Sequence, residues 1–243
     1  MQDRLMTFLD YALISDDEVA LDLLKGYFDE DQKLDLHLKE YEDELNGDEI
    51  KAIACLFDRE KSLDQRAYEA LKYDEWCLEA ILINSHYLDK NTNRDDYYYS
   101  YFQKVSNSLK LSVRASYSAK IILAVYSAYL LFTFDMEGSL EVQKTLIKLG
   151  AINTVTLSQL LVTYGLLNRK EETFEVLEDY FEYLDNELGI SVIVDVLLKM
   201  HEKPRAKEFY EAYIKRHGQR VETCEELLNG DPLKTKAKEE VFH

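Results

Sequence analysis

Leu157-Ser158-Gln159-Leu160-Leu161-Val162-Thr163-Tyr164 and Ile190-Ser191-Val192-Ile193-Val194-Asp195-Val196-Leu197 are the two stretches that decide the fold. Laid over one another, every apolar anchor of the first falls 33 residues further on in the second. Within each stretch the apolar residues recur at the three- and four-residue spacing that puts them on one face of a helix. The segments that follow keep the same shift: Thr173, Leu177 and Tyr180 become Ala206, Tyr210 and Tyr213. Two helices per unit, repeated, means that each pair buries its apolar face only by stacking on the next.

Working outward, Leu63, Ala67 and Ala70 map onto Tyr97, Tyr101 and Lys104 at a shift of 34, the last pairing being poor. The chain holds only 8 Gly and 2 Pro in 243 residues. Both residues are unfavourable inside helices and favoured in turns, so their scarcity points to an all-helical chain. Ser15-Asp16-Asp17-Glu18 reads as a capping box opening a helix through Val19, Leu23, Leu24 and Tyr27. Asn46-Gly47 reads as the end of one helix, with Asp48-Glu49 suited to the start of the next. Ser112–Phe134 reads as one longer helix with Val113, Tyr117, Ile121, Ala124, Val125 and Ala128 buried, and Asp89–Asp95 and Asp135–Ser139 as polar connections. In all, about fourteen helices are expected.

A two-helix unit with a period near 34 resembles the tetratricopeptide repeat (TPR) family. Leu157, Leu160 and Tyr164 match that family's anchors, as do Ile190, Ile193, Ala206 and Tyr210. Ala70-Leu71-Lys72-Tyr73-Asp74-Glu75 is similar to the phrase that closes such a repeat, with Glu75 where the family carries proline. Leu161, Val194, Tyr180 and Tyr213 stand where it carries small residues, so wider or irregular helix spacing is expected. The likeness is strongest over 154–217 and weakest over 29–46 and 105–138. The resemblance implies an α-α superhelix (solenoid) of degenerate TPR-like hairpins over 1–230, residues 1–50 forming an acidic N-terminal cap. A charged tail, 231–243, follows.

The net charge is −18. Such a surface repels phosphate backbones, which argues against nucleic acid as a partner. The acids crowd residues 1–50, whereas Lys199, Lys203, Arg205, Lys207, Lys215, Arg216 and Arg220 make 199–220 basic. Solvated helix faces explain the asymmetry; a homodimer pairing the two ends is the sharper alternative. Cys55, Cys77 and Cys224 are odd in number and lack metal spacing, which fits thiols in a reducing compartment. The opening MQDRLMTFLD is not a secretion signal, and the apolar run Ile121–Phe134 is too short for a membrane span. The expectation is therefore a cytoplasmic protein without membrane partners.

Candidate chemistry is sparse. Asp29–Glu40 imitates a calcium loop but has Leu34 where the turn needs Gly and Lys33 among the ligands. His37, His86, His201, His217 and His243 form no zinc spacing, and no phosphate-cradling or nucleophile motif is present. Carboxylate pairs such as Glu171-Glu172 and Glu225-Glu226 are uninformative in a chain with 47 acids. No catalytic residue, metal or cofactor is expected. In the cluster Tyr97, Tyr98, Tyr99, Tyr101 and Phe102, core packing accounts for most rings, and one or two should reach a surface. Trp76 and Cys77 are expected to anchor the helix that follows the Asp74-Glu75 turn.

In TPR proteins the first helix of each unit lines the binding groove. Carried over, that implies Leu82, His86, Asp89 and Lys90, then Ser158, Val162 and Leu166, then Ser191, Asp195 and Lys199, with Tyr98 and Tyr101 added from the aromatic cluster. The family's cationic carboxylate clamp is missing from these positions. The expected function is a non-catalytic protein- or peptide-binding adaptor that takes an apolar or weakly basic segment. The alternatives are a peptide-sensing regulator without its own DNA-binding domain, a self-associating structural protein, and an enzyme with its site between helices.

Overall fold

The computed structural model describes residues 8, 10–30 and 45–230. Among these the protein is all-helical, without strands, and twelve helices have described bounds. No described helix is long and apolar enough to cross a membrane. The expected tail at 231–243 and most of the calcium-loop segment, 31–40, lie outside the described residues. The chain divides into two compact units, Met1–Tyr129 and Leu130–His243, where the sequence suggested one array.

Unit 1 carries α1 (Asp17–Phe28), α2 (Gly47–Leu56), α3 (Leu63–Tyr73), α4 (Leu78–Ser85), α5 (Arg94–Leu109) and most of α6 (Tyr117–Phe132). α2 packs on α3, α3 on α4 and α4 on α5. One cap differs from the sequence reading. Asp16, one residue beyond Ser15, caps α1 by accepting from Glu18 N and Val19 N. Asn46 opens α2: it accepts from Asp48 N and Glu49 N, and its own N–H donates to Glu49 Oε2. The helix expected to end at Asn46 lies outside the described residues. The other oxygen of buried Glu49 accepts from Ser118 N at 2.9 Å, placing a carboxylate on the positive end of α6.

α6 begins at Tyr117, five residues later than Ser112. The Ser112 hydroxyl bonds the backbone of Arg114 on both its N–H and its carbonyl, a local arrangement that competes with helix. Val113, expected on the buried side, is consequently 79% exposed. Arg66 gathers three elements. Its guanidinium donates to Asp29 of the α1 C-cap (2.7 Å), to Leu56 O at the end of α2 (3.4 Å) and to Lys61 O (3.0 Å). An arginine this deeply buried is tolerated because it is paired and hydrogen-bonded.

Unit 2 continues with α7 (Met136–Lys148), α8 (Thr154–Leu166), α9 (Lys170–Leu184), α10 (Glu187–Lys199), α11 (Lys203–His217) and α12 (Glu222–Asn229). α8 pairs with α9 and α10 with α11, while the first helices stack, α8 on α10 and α10 on α12. The repeat is visible in the backbone. Phe134, Asn168 and His201 are the described non-glycine residues with positive φ, at 61°, 52° and 62°. Each closes a helix with the same long-turn bond to the following residue: Asp135 N to Leu130 O, Arg169 N to Tyr164 O, Glu202 N to Leu197 O, at 2.7–2.9 Å. The small residues Ser139, Thr173 and Ala206 follow at the same step, all fully buried. Asn153 and Asn186 cap α8 and α10 in turn. The backbone repeat therefore starts one step earlier than the sequence revealed, at Phe134 and Ser139.

The connection expected at Asp135–Ser139 is shorter, because Asp135 caps α7 by accepting from Gly138 N at 2.9 Å. α8 and α10 approach closely despite bulky Leu161 and Val194, since the contact has moved to Gly165, where an added Cβ would lie 3.1 Å from Val196. Gly189, in the first turn of α10, would place a Cβ 2.2 Å from the Leu184 carbonyl oxygen. Gly47, at the start of α2, has nothing within 4 Å. Gly189→Ala should therefore destabilise the protein by about 2 kcal/mol in urea titrations. Gly47→Ala should stabilise it by about 0.5 kcal/mol. Equal effects would contradict the packing of α9 against α10.

Candidate functional site

The expected groove residues fall into the two units, and each set is placed by its own surroundings. In unit 1, Leu82, His86 and Tyr98 are buried. Leu82 belongs to an α4 that is apolar nearly all round. Tyr98 stacks on Phe102, meets Phe8 edge-on and shares a 2.6 Å bond with Ser85 Oγ; burial pushes its phenol up to about 12. Tyr101 donates to Glu75 O at 2.9 Å and packs edge-on against Trp76, its phenol also pushed up to about 12, chiefly by burial. These rings form an aromatic core that offers little to a partner. Asp89 and Lys90 are exposed, but Asp89 bonds Asn91 in a local turn. Of the five clustered aromatics Tyr98 and Phe102 are buried while Tyr99 is 37% exposed, so most rings pack inward and one reaches the surface, as the spacing suggested.

His86 is the best-defined polar group of unit 1. Its Nδ1 lies 2.9 Å from Asp17 Oδ1, an oxygen that also takes a hydrogen bond from Arg94 Nη2. Arg94 Nη1 in turn donates to Ile14 O at 2.8 Å. This network pins the start of α1 to the end of α4 and the start of α5. It has the form of a structural clasp.

In unit 2 the corresponding residues lie along the stacked first helices. Val162 is half-buried and Leu166 is 51% exposed on α8. On α10, Ser191 and Asp195 are half-buried and Lys199 is exposed. Asp195 and Lys199 pair at 2.8 Å one helical turn apart, so their charges largely cancel. Ser191 bonds its own helix at Glu187 O and lies 3.8 Å from Cys224 Sγ, whose thiol is pushed up mainly by burial. Ser158 is buried on α8, and its Oγ makes no hydrogen bond among the described residues.

The backbone repeat adds a residue that the sequence reading overlooked. Phe132, at the end of α6, stands 34 positions before Leu166 and 67 before Lys199, and it is 84% exposed. The evenly spaced small residues Ser139, Thr173 and Ala206 were the signal for this earlier repeat step. Among the described residues no group of three or more His, Cys, Asp or Glu could hold a metal ion. None of the three cysteines is in a disulfide.

The described residues thus define an all-helical protein whose second unit presents successive first helices on one stack. No protein-family model, curated protein or solved structure matches the chain.

The clasp has a measurable consequence. Burial is the main cause holding the His86 pKa below its ordinary value, with Asp17 acting in the opposite direction. The unfolded chain therefore takes up this proton first as pH falls. Stability from neutral His86 is present above the unfolded value of about 6.5 and is lost as pH drops through it towards the lower folded value. Urea midpoints should fall between pH 7.5 and 5.5, and His86→Asn should flatten that slope. An unchanged slope would place the proton uptake elsewhere.

Proposed function

We propose that the protein is a non-catalytic protein- or peptide-binding module of TPR-like hairpins, with the first helices of unit 2 as its receiving face. The observation that carries the reading is the exposure of apolar side chains at the same place in successive repeats, Phe132 and then Leu166. Single exposed apolar residues are ordinary on protein surfaces. Recurrence at one repeat position is different, because a repeat presents equivalent side chains on equivalent faces. Half-buried Val162 extends the apolar strip, and the Asp195–Lys199 pair offers one donor and one acceptor that orient a bound segment.

In this reading the hairpins continue into a superhelix and an extended or helical segment lies along its inner face. Apolar side chains of that segment supply most of the affinity. The free cysteines fit work in a reducing cytoplasm.

Selection from a displayed random-peptide library tests the proposal. Peptides enriched on the intact protein should bind Leu166→Asp at least about tenfold more weakly. They should bind Glu178→Lys, altered on the exposed side of α9, as well as the parent does. Failure to enrich any sequence, or equal loss in both variants, would count against this face.

A further inference from the structure

Unit 1 contains a cleft of about 450 Å³ with no part in the reading above. α1 supplies Leu21, Asp22 and Lys25 to its wall, α3 supplies Leu63, and Tyr87 joins them from just beyond the end of α4. A space of this size takes a small ligand. Which ligand depends on which charges at the wall are already spent.

Most of them are. Lys61 meets Asp58 at 2.9 Å, and Arg66 meets Asp29 at 2.7 Å. Arg59 has an interaction partner as well. Asp22 and Lys25 remain, and neither makes an ion pair or a side-chain hydrogen bond among the described residues, with the other or with any third group. The cleft therefore keeps one open charge of each sign.

That opening is unusual in this chain. Asp48–Lys51, Asp58–Lys61, Glu69–Lys72 and Glu141–Lys144 have the same three-residue step from acid to lysine, and all are closed, at 3.1, 2.9, 2.7 and 3.8 Å. Such a pair gains only about 0.2–0.5 kcal/mol by closing. Asp22 and Lys25 stay apart where both border a cavity, leaving an acceptor and a donor for a ligand that brings the opposite charges. An α-amino acid carries its ammonium and carboxylate on neighbouring atoms. Side chains one turn apart leave the helix about 5–6 Å from each other, so one such molecule reaches both.

The rest of the wall is apolar. Leu63 is buried, Leu21 half-buried, and Tyr87 is 48% exposed. Burial, with the nearby Asp64 charge adding to it, pushes the Tyr87 phenol up, so this ring brings no charge of its own at neutral pH.

We propose that this cleft binds a free α-amino acid with an apolar side chain. Asp22 takes the ammonium, Lys25 takes the carboxylate, and Leu21, Leu63 and Tyr87 cover the side chain. The site uses residues of unit 1 alone and stands whether or not unit 2 binds peptides.

Isothermal titration of the full chain at low ionic strength tests this, with leucine and phenylalanine as probes. Saturable binding of at least one of them at one site per chain is expected, weakening as salt is added. Its N-acetyl form, which lacks the ammonium, and its amide, which lacks the carboxylate, should each bind at least about fivefold more weakly. In Asp22→Asn acetylation should cost less than about twofold, and in Lys25→Gln amidation should cost less than about twofold, because the partner of the missing charge is gone. Both substitutions alter exposed side chains, and circular dichroism should show both variants still helical. Lys104→Gln, outside the cleft, should bind as the parent does. No saturable binding up to about 10 mM, blocking penalties that persist in the matching variants, or tighter binding of leucyl-leucine than of either amino acid would overturn the proposal.

Discussion

The second unit depends on a turn that a side-chain-bearing residue makes at some cost. Phe134, Asn168 and His201 each sit in the left-handed region at the end of a helix. That conformation lets the following N–H reach back to a carbonyl of the last turn, satisfying a group the helix would otherwise leave open. It also reverses the chain within a few residues, so the next helix returns along the first. Asparagine tolerates this conformation well, histidine less, and a bulky phenylalanine least. The face proposed in unit 2 follows from that reversal, because it decides which helices stack and which side chains remain on the outer edge.

The two units are held by different physics. Unit 2 repeats one packing solution, with small residues at Ser139, Thr173 and Ala206 where neighbouring helices meet and Gly165 where α8 meets α10. Unit 1 relies on polar ties between segments distant in sequence. Glu49 caps α6, Arg66 joins the ends of α1 and α2, and Asp17 connects His86 with Arg94. Such ties are worth most where they are buried and fully bonded, and breaking one leaves a stranded charge. A packing repeat tolerates drift in sequence, whereas a polar tie needs both partners.

The sequence made the helical class legible and placed the 33-residue step in unit 2, because apolar periodicity and the scarcity of Gly and Pro report directly on burial. It misjudged what depends on local competition. Ser15 lost the cap to Asp16, and Ser112 bent the chain out of α6. Each is a choice between two short-range hydrogen-bonding options of similar strength. Of the residues expected to line a groove, Val162, Leu166, Asp195 and Lys199 of unit 2 sit at or near the surface of stacked first helices. Leu82, His86 and Tyr98 of unit 1 are instead enclosed by neighbours that no spacing rule reveals.

Position-dependent photo-cross-linking in the living host tests the central claim most directly. A photoreactive amino acid placed at Leu166 should give a discrete adduct with another polypeptide. The same group at Glu178, on the exposed side of α9, should give none. Adducts of equal yield from both positions, or from neither, would contradict the assignment of the stacked first helices as a binding face.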